Sequence, residues 1–285
     1  MKNFLFLAGA VVLLALLVAF TTRRAHGQDG LSEVSATTTD FVEPIVFQAA
    51  GPSVDSIRSA VVEYQHAFPG DNNASKGSQP DGRREINWDG GNPAIVTTVL
   101  TANPFDGFKN SRGALFTTPD GTGFVQATPS GLADATVFNN PTYATIFEPF
   151  SNSRLFGVIG GTITDVDFFV PGNSNQPATT SGFGAVFSDV DKPDGSGPGE
   201  KRGNRKASTL IEYFGVNGEL LFSSFVPAAP GDKGQSFFGV KFPDSRIARV
   251  RITTGNVAGG PDDGGKLDVV MMDDFIYGEP KTALP

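Results

Sequence analysis

The sequence contains no cysteine and only two histidines, His26 and His66, among its 285 residues. The lack of thiols excludes a disulfide framework, a cysteine nucleophile and a zinc or iron–sulfur site held by cysteines. Basic residues are also few, with 22 Lys and Arg against 30 Asp and Glu and a net charge of −8. A chain of this charge repels nucleic acid and anionic lipid surfaces, and it attracts divalent cations.

What the chain has in quantity is phenylalanine, glycine and proline, with 25, 35 and 20 residues respectively. Hydrophobic residues make up 39% of the sequence, which is enough for a packed core and argues against a disordered chain. The glycines and prolines indicate many turns rather than long helices.

The first residues have the layout of a secretory signal peptide. An apolar run from Phe4 to Phe20 follows Lys2 and precedes the small-residue segment Ala25-His26-Gly27. We therefore expect residues 1–27 to be a cleaved leader, although Arg23 and Arg24 would also suit an uncleaved membrane anchor. Either outcome predicts a secreted, cell-surface or periplasmic protein, with no membrane association once the leader is removed.

Residues 28–82 are expected to form an N-terminal extension with one short helix. Apolar residues recur in it at helical spacing: Val54, Ile57, Val61, Tyr64 and Phe68. Ser53 can cap this helix, and Pro69-Gly70 should end it. The polar segment 69–82 is predicted to be a mobile surface loop.

Residues 83–285 show the pattern of an all-β domain. Segments rich in Val, Ile, Phe and Thr are bounded by turn residues and predict strands at 85–89, 113–118, 123–128, 144–150, 154–159, 163–170, 183–190, 208–214, 219–226, 236–242, 248–254 and 267–277. Asn217-Gly218 predicts a hairpin between two of them. The fold class is therefore an antiparallel two-sheet sandwich, jelly-roll-like, in a single domain.

Three aspartates at the end of the predicted strand 183–190 and just after it form a candidate calcium loop. Asp189, Asp191 and Asp194 lie in the segment DVDKPDGSGPGE, whose spacing does not match an EF-hand because Pro193 occupies the fifth position. An irregular calcium loop remains open, as does pairing of these acids with the basic residues at 201–206.

Asp273 and Asp274 are adjacent in the last predicted strand, so one of them should face inward. A buried carboxylate needs a cation or several hydrogen bonds, and for Asp273 both remain open: a structural calcium ion or backbone amides. Calcium is the metal that suits a ligand set of carboxylates and carbonyls without Cys or His.

Trp88 is the single tryptophan, within the segment REINWDGG. It is a candidate ligand-binding residue on a carbohydrate-binding face, since aromatic rings serve as stacking platforms, and the other interpretation places it in the core. No catalytic residue is assigned, because the sequence alone pairs no two carboxylates for glycoside hydrolysis.

Several segments together carry a resemblance: GRREINWDG at 82–90, NPTYATIFEPFSNSRLF at 140–156, TDVDFFVPG at 164–172, GFGAVFSDVD at 182–191, IEYFGVNGELLFSSFVPA at 211–228 and DVVMMDDFIYGEP at 268–280. They resemble a group of uncharacterised exported bacterial β-sandwich proteins related in style to surface proteins with a C-terminal sorting signal. The last strand is also similar to that of calcium-containing jelly-roll carbohydrate-binding modules, which implies that Asp273 binds calcium.

Together these observations predict a secreted β-sandwich that binds carbohydrate or a cell-surface component and has a structural calcium ion. Two other functions remain open. One is a polysaccharide-cleaving enzyme on the same frame, with a carboxylate pair or a set such as Tyr143 and Arg154. The other is a non-catalytic component of an extracellular matrix.

Overall fold

The computed structural model describes residues 42–92, 94–192, 209–261 and 267–283. These residues form two antiparallel β-sheets of eight and seven strands, which confirms the predicted two-sheet sandwich. The expected leader at 1–27 and the candidate calcium ligand Asp194 lie outside the described residues.

The eight-stranded sheet consists of β1 (Ile45–Gly51), β2 (Arg83–Ile86), β3 (Val99–Ala102), β5 (Gly123–Ala127), β6 (Leu155–Ile159), β9 (Gly182–Ser188), β12 (Gln235–Lys241) and β14 (Met271–Gly278). Its strand order is β1-β12-β9-β14-β6-β5-β3, and β2 pairs with β14 beside β6. Strand β14, which comes last in the sequence among these eight, therefore lies inside the sheet, and β1 lies at an edge.

The seven-stranded sheet consists of β4 (Ala114–Thr117), β7 (Ile163–Val170), β8 (Asn173–Thr179), β10 (Leu210–Phe214), β11 (Leu220–Phe225), β13 (Arg249–Thr253) and β15 (Lys281–Thr282). Its order is β11-β10-β13-β7-β8-β15, with β4 paired to β7. The predicted hairpin at Asn217-Gly218 joins β10 to β11, and Gly218 adopts the positive φ of 78° that such a turn requires.

Phenylalanine rings from both sheets fill the space between them. Phe156 and Phe275 of the eight-stranded sheet and Phe116 of the other sheet are fully buried and pack around Trp88. Edge-to-face contacts between rings add to the burial of apolar area. This explains why the chain uses so much phenylalanine.

Helix α1 (Val54–His66) begins after Ser53, as the sequence predicts, and packs against the outer face of the eight-stranded sheet. Its buried residues Ile57, Val61 and Tyr64 contact Phe237 and other residues of that sheet. Glycines in the paired strands β9 and β12 give Tyr64 room, and its hydroxyl donates to the Val240 carbonyl at 3.0 Å.

The boundary expected at residue 82 does not separate two structural units. Strand β1 pairs with β12 along its whole length, and the compact unit begins at Val42. The segment 69–82 is also tied to the sandwich, because Arg84 donates to the carbonyls of Ala74 and Gly77. The expected extension is therefore part of the sandwich from residue 42 onward.

Three short helices differ from the predicted pattern of strands: α2 (Lys109–Arg112), α3 (Pro129–Leu132) and α4 (Tyr143–Ile146). The predicted strand 144–150 is wrong, because α4 occupies its first half. Apolar side chains of this segment cover the sheet instead of pairing within it, and Phe147 packs with Leu155 and Met271. Composition alone does not separate these two uses of an apolar run.

Candidate functional site

Trp88 follows β2 and is buried, with 1% of its surface exposed. Its ring stacks on Phe156 at a centroid distance of 3.9 Å and contacts Phe116 and Phe275 edge to face. Trp88 therefore presents no ring face to a ligand, contrary to the binding role expected from the sequence. The phenylalanines that contact its ring are distant from it in the sequence, and they fix Trp88 in the core.

Asp273 is fully buried in β14, and backbone amides satisfy it. One carboxylate oxygen accepts from the amides of Phe150 and Ser151 at 2.7 and 3.2 Å, and the other accepts from the amide of Asp274 at 2.8 Å. Burial, together with the charge of Asp274, raises the pKa of Asp273 well above its usual range. The sequence left open whether calcium or backbone amides satisfy Asp273, and in the described residues backbone amides do so.

A bulge determines which way Asp273 faces. Pairing between β14 and β9 shifts register between Asp273 and Phe275, so Asp274 is the extra residue. Phe275 consequently faces the core between the sheets, whereas Met271, two residues before Asp273, packs on the outer side. Strict alternation along the strand would have put Asp273 on the same face as Phe275.

Asp274 is half-buried and accepts from the Ser151 hydroxyl at 2.5 Å. Burial is the main cause that raises its pKa to about 6, and the neighbouring charges of Glu85 and Asp89 act in the same direction. Asp273 and Asp274 thus hold the same loop at residues 150–151.

Of the candidate calcium loop the structure describes Asp189 and Asp191, and a further acid, Asp268, binds the backbone amide of Asp191. Asp189 is buried with a φ of 73°, directly after β9. Asp191 accepts from the amide of Gly231 at 2.8 Å. Asp268 accepts from the amides of Asp191 and Lys192 at 3.2 and 3.3 Å.

Burial raises the pKa of Asp268 to about 6, and the charge of Asp191 contributes. Asp268 and Asp191 are far apart in sequence, and no local pattern connects them. Within the described ranges, no group of three or more His, Cys, Asp or Glu side chains is arranged to hold a metal ion. The structural calcium stays a prediction.

Several acids share one role: each carboxylate binds two consecutive amides of a loop. Besides the buried Asp268 and Asp273, the buried Asp89 accepts from the amides of Ser153 and Arg154, and the exposed Asp120 accepts from those of Thr162 and Ile163. These acidic side chains therefore serve to fix loops.

Tyr143 and Arg154, the pair considered for an enzyme, are both buried. The Tyr143 hydroxyl donates to the Gly260 carbonyl at 2.9 Å, and the Arg154 guanidinium donates to the carbonyls of Trp88 and Thr97. Both side chains hold loops to the sandwich.

A cavity of about 320 Å³, named the polar cavity after the charged and hydroxyl-bearing residues in its wall, lies at the C-terminal end of α1, where β12 and β14 also end. Phe68 belongs to the lining of the cavity, although only 3% of its surface is exposed. The charged and hydroxyl-bearing residues of the wall are Asp81, Ser181, Lys241, Asp244, Ser245, Glu279 and Lys281. Sequence reasoning missed this site, because its residues come from five separate segments.

One wall of this cavity is fixed by a buried ion pair. Arg84 binds both carboxylate oxygens of Glu279 at 2.6 and 2.7 Å, and the two side chains are 0% and 1% exposed. Glu279 also accepts from Asn73 and from the amide of Gln79. These bonds hold the segment 73–82 against the end of β14.

A second cavity of about 320 Å³ lies against the seven-stranded sheet, beside the tip of the β10–β11 hairpin. Phe168, Phe169, Pro177 and Ala178 make its lining mostly apolar. Asp167 lies at its wall, and burial, together with the charge of Asp165, raises the pKa of Asp167.

No protein family, curated protein or solved structure matched this chain in the comparisons. The resemblances drawn from the sequence therefore stay predictions. In the part of the chain that the structure describes, no helix has the length and apolar character needed to cross a membrane.

Proposed function

We propose that the protein is an exported, non-catalytic β-sandwich module that binds carbohydrate or a carbohydrate-bearing cell-surface component in the polar cavity beside Phe68. The observation that carries this proposal is the lining of the cavity, where hydroxyl, ammonium and carboxylate groups lie together. Sugars offer many hydroxyl groups, and a site of this composition can both donate hydrogen bonds to them and accept hydrogen bonds from them.

The size of the cavity supports the proposal. At about 320 Å³ it lies at the lower end of the range of about 300–1,000 Å³ that small-ligand sites occupy. A volume of this kind suits one or two sugar residues at the end of a chain.

The rigidity of the walls also supports it. The Arg84–Glu279 pair fixes one wall, and strands β12 and β14 form part of the frame. A site held on rigid elements loses little conformational entropy when a ligand binds.

Calcium is proposed as a structural ion at the loop that the sequence predicts from Asp189, Asp191 and Asp194. Asp189 and Asp191 follow β9 closely, and carboxylate oxygens are the ligands that calcium prefers. The melting temperature in calcium should exceed that in chelator, because an ion that binds only the folded state stabilises that state. Equal melting temperatures in the two conditions would contradict the calcium proposal.

Binding is tested with a glycan array followed by calorimetry on the glycans that bind. Pro243→Trp places a large ring at the exposed rim of the polar cavity and should abolish binding. Val216→Trp is the matched control, since Val216 is 50% exposed and lies at the second cavity. Loss of binding in Val216→Trp alone would assign the ligand to that second cavity.

A parallel assay for reducing sugar, released from a panel of polysaccharides, separates binding from cleavage. The proposal predicts binding without release. Release that disappears in a folded acidic-residue variant would show that the protein is an enzyme, and a glycan array without any bound glycan would overturn the carbohydrate proposal.

A further inference from the structure

The carboxylates of the polar cavity are already paired with basic groups. Glu279 binds Arg84, and Asp244 binds Arg246 through two bonds of 2.5 and 2.8 Å. Asp81 lies 3.9 Å from the Lys281 ammonium. These acids therefore leave little uncompensated negative charge in the cavity, although the chain as a whole is acidic.

Lys241 differs from the other charged residues of the cavity. Its ammonium donates to the Phe242 carbonyl at 3.4 Å, and among the residues that the structure describes no carboxylate lies within 4.0 Å of it. The residue is half-buried at the end of β12. A partly desolvated cation without a counter-charge favours an anionic ligand.

The strand register explains why Lys241 reaches the cavity. It is the last residue of β12 and lies opposite Gly182 of β9. A side chain at position 182 would collide with the Val240 carbonyl and crowd Phe68, with distances of 2.5 and 3.1 Å from an added Cβ atom. Glycine at this position lets α1 approach closely, so that Phe68 and Lys241 line the same cavity.

We infer that the polar cavity takes an acidic saccharide, with the sugar carboxylate bound by Lys241. This inference rests on the proposed carbohydrate function and adds the class of ligand. Ser181 also lines the cavity and can bond a neighbouring sugar hydroxyl. The overall charge of −8 opposes an anionic ligand at long range, so the local pairing of the cavity acids is what allows it to bind.

The test uses trigalacturonate and its fully methyl-esterified form, which has the same skeleton without charge. Calorimetry on the whole protein should give tighter binding of the acid. Lys241→Met removes the charge but keeps an unbranched side chain, and it should weaken binding of the acid about tenfold, as expected for one charge-assisted hydrogen bond. The same substitution should leave binding of the ester unchanged.

Lys233→Met is the matched control, because Lys233 is exposed and precedes the opposite end of β12. It changes the net charge equally and should leave both affinities within about twofold, since an exposed charge at a distance is screened by salt. Melting temperatures of both variants establish that they fold.

Equal affinity for acid and ester, or no loss of acid binding in Lys241→Met, would overturn the inference of an acidic ligand. In that case, binding of neutral glycans on the array would leave the proposed function intact. If neither trigalacturonate form nor any glycan of the array binds, the inference and the proposed function both fail.

Discussion

Asp273 has no exposed surface, and its two carboxylate oxygens accept from three backbone amides. The sequence could show that one of two adjacent acids had to face inward. It could not show which partner satisfied that acid, because the amides of Phe150 and Ser151 come from a segment more than 120 residues away.

Replacing Asp273 by alanine leaves those amides without an acceptor. We expect a loss of roughly 3 kcal/mol in the free energy of unfolding, since each buried unsatisfied donor costs about 1–3 kcal/mol. Asp274→Ala is the control, because Asp274 is half-buried and its carboxylate accepts from the hydroxyl of Ser151. Urea unfolding that gives equal losses for both variants would contradict the amide-binding role of Asp273.

Asp268 makes stability depend on pH in an unusual direction. Its pKa of about 6 in the folded state lies above the value of about 3.9 expected for the unfolded chain. The folded state therefore holds this proton more tightly. The protonated Asp268 therefore contributes in full to the free energy of unfolding below about pH 4, and this contribution is lost as the pH rises through about 6.

The substitution Asp268→Asn removes this titration. Its cost should be smaller at pH 7 than at pH 4, by up to about 3 kcal/mol in the free energy of unfolding. Urea titrations of both proteins in chelator at the two pH values measure this difference. A cost that grows with pH would show that the buried carboxylate is stabilised in its charged form and would contradict this account.

At the scale of elements, the sequence predicts those helices and strands whose formation depends on neighbouring residues in the chain. Helix α1 and strand β7 lie where periodicity and β-branched composition predicted them. Strand β8 was missed because its sequence NSNQPAT is polar, and its pairing with β7 and β15 defines it as a strand. The bulge at Asp274 likewise arises from pairing with β9, which no local pattern in the sequence reveals.

The attachment of α1 is tested by Ile57→Ala, which should lower the free energy of unfolding by about 3 kcal/mol. Ile57 is 0% exposed, whereas Val62 on the same helix is 40% exposed, so Val62→Ala is the control and should cost less than about 0.5 kcal/mol. Trp88 fluorescence reports unfolding of the sandwich core. An unchanged midpoint in Ile57→Ala would mean that the helix is an independent extension.

At the scale of the whole molecule, composition predicted the two-sheet class, because turn residues and short apolar segments determine it. The polar cavity could not be predicted in the same way. The charge that the cavity presents depends on ion pairs such as Arg84 with Glu279, which are 195 residues apart in the sequence. The proposed binding site therefore depends on contacts between distant segments more than the fold class does.

The most direct test of the proposed site is an amide NMR titration of the labelled protein with trigalacturonate. The largest shifts should fall on the residues of the polar cavity: Ser181, Lys241, Asp244, Ser245 and Lys281. Shifts centred on Asp167, Val216 and Ala248 at the second cavity, or an unchanged spectrum, would contradict binding at the polar cavity.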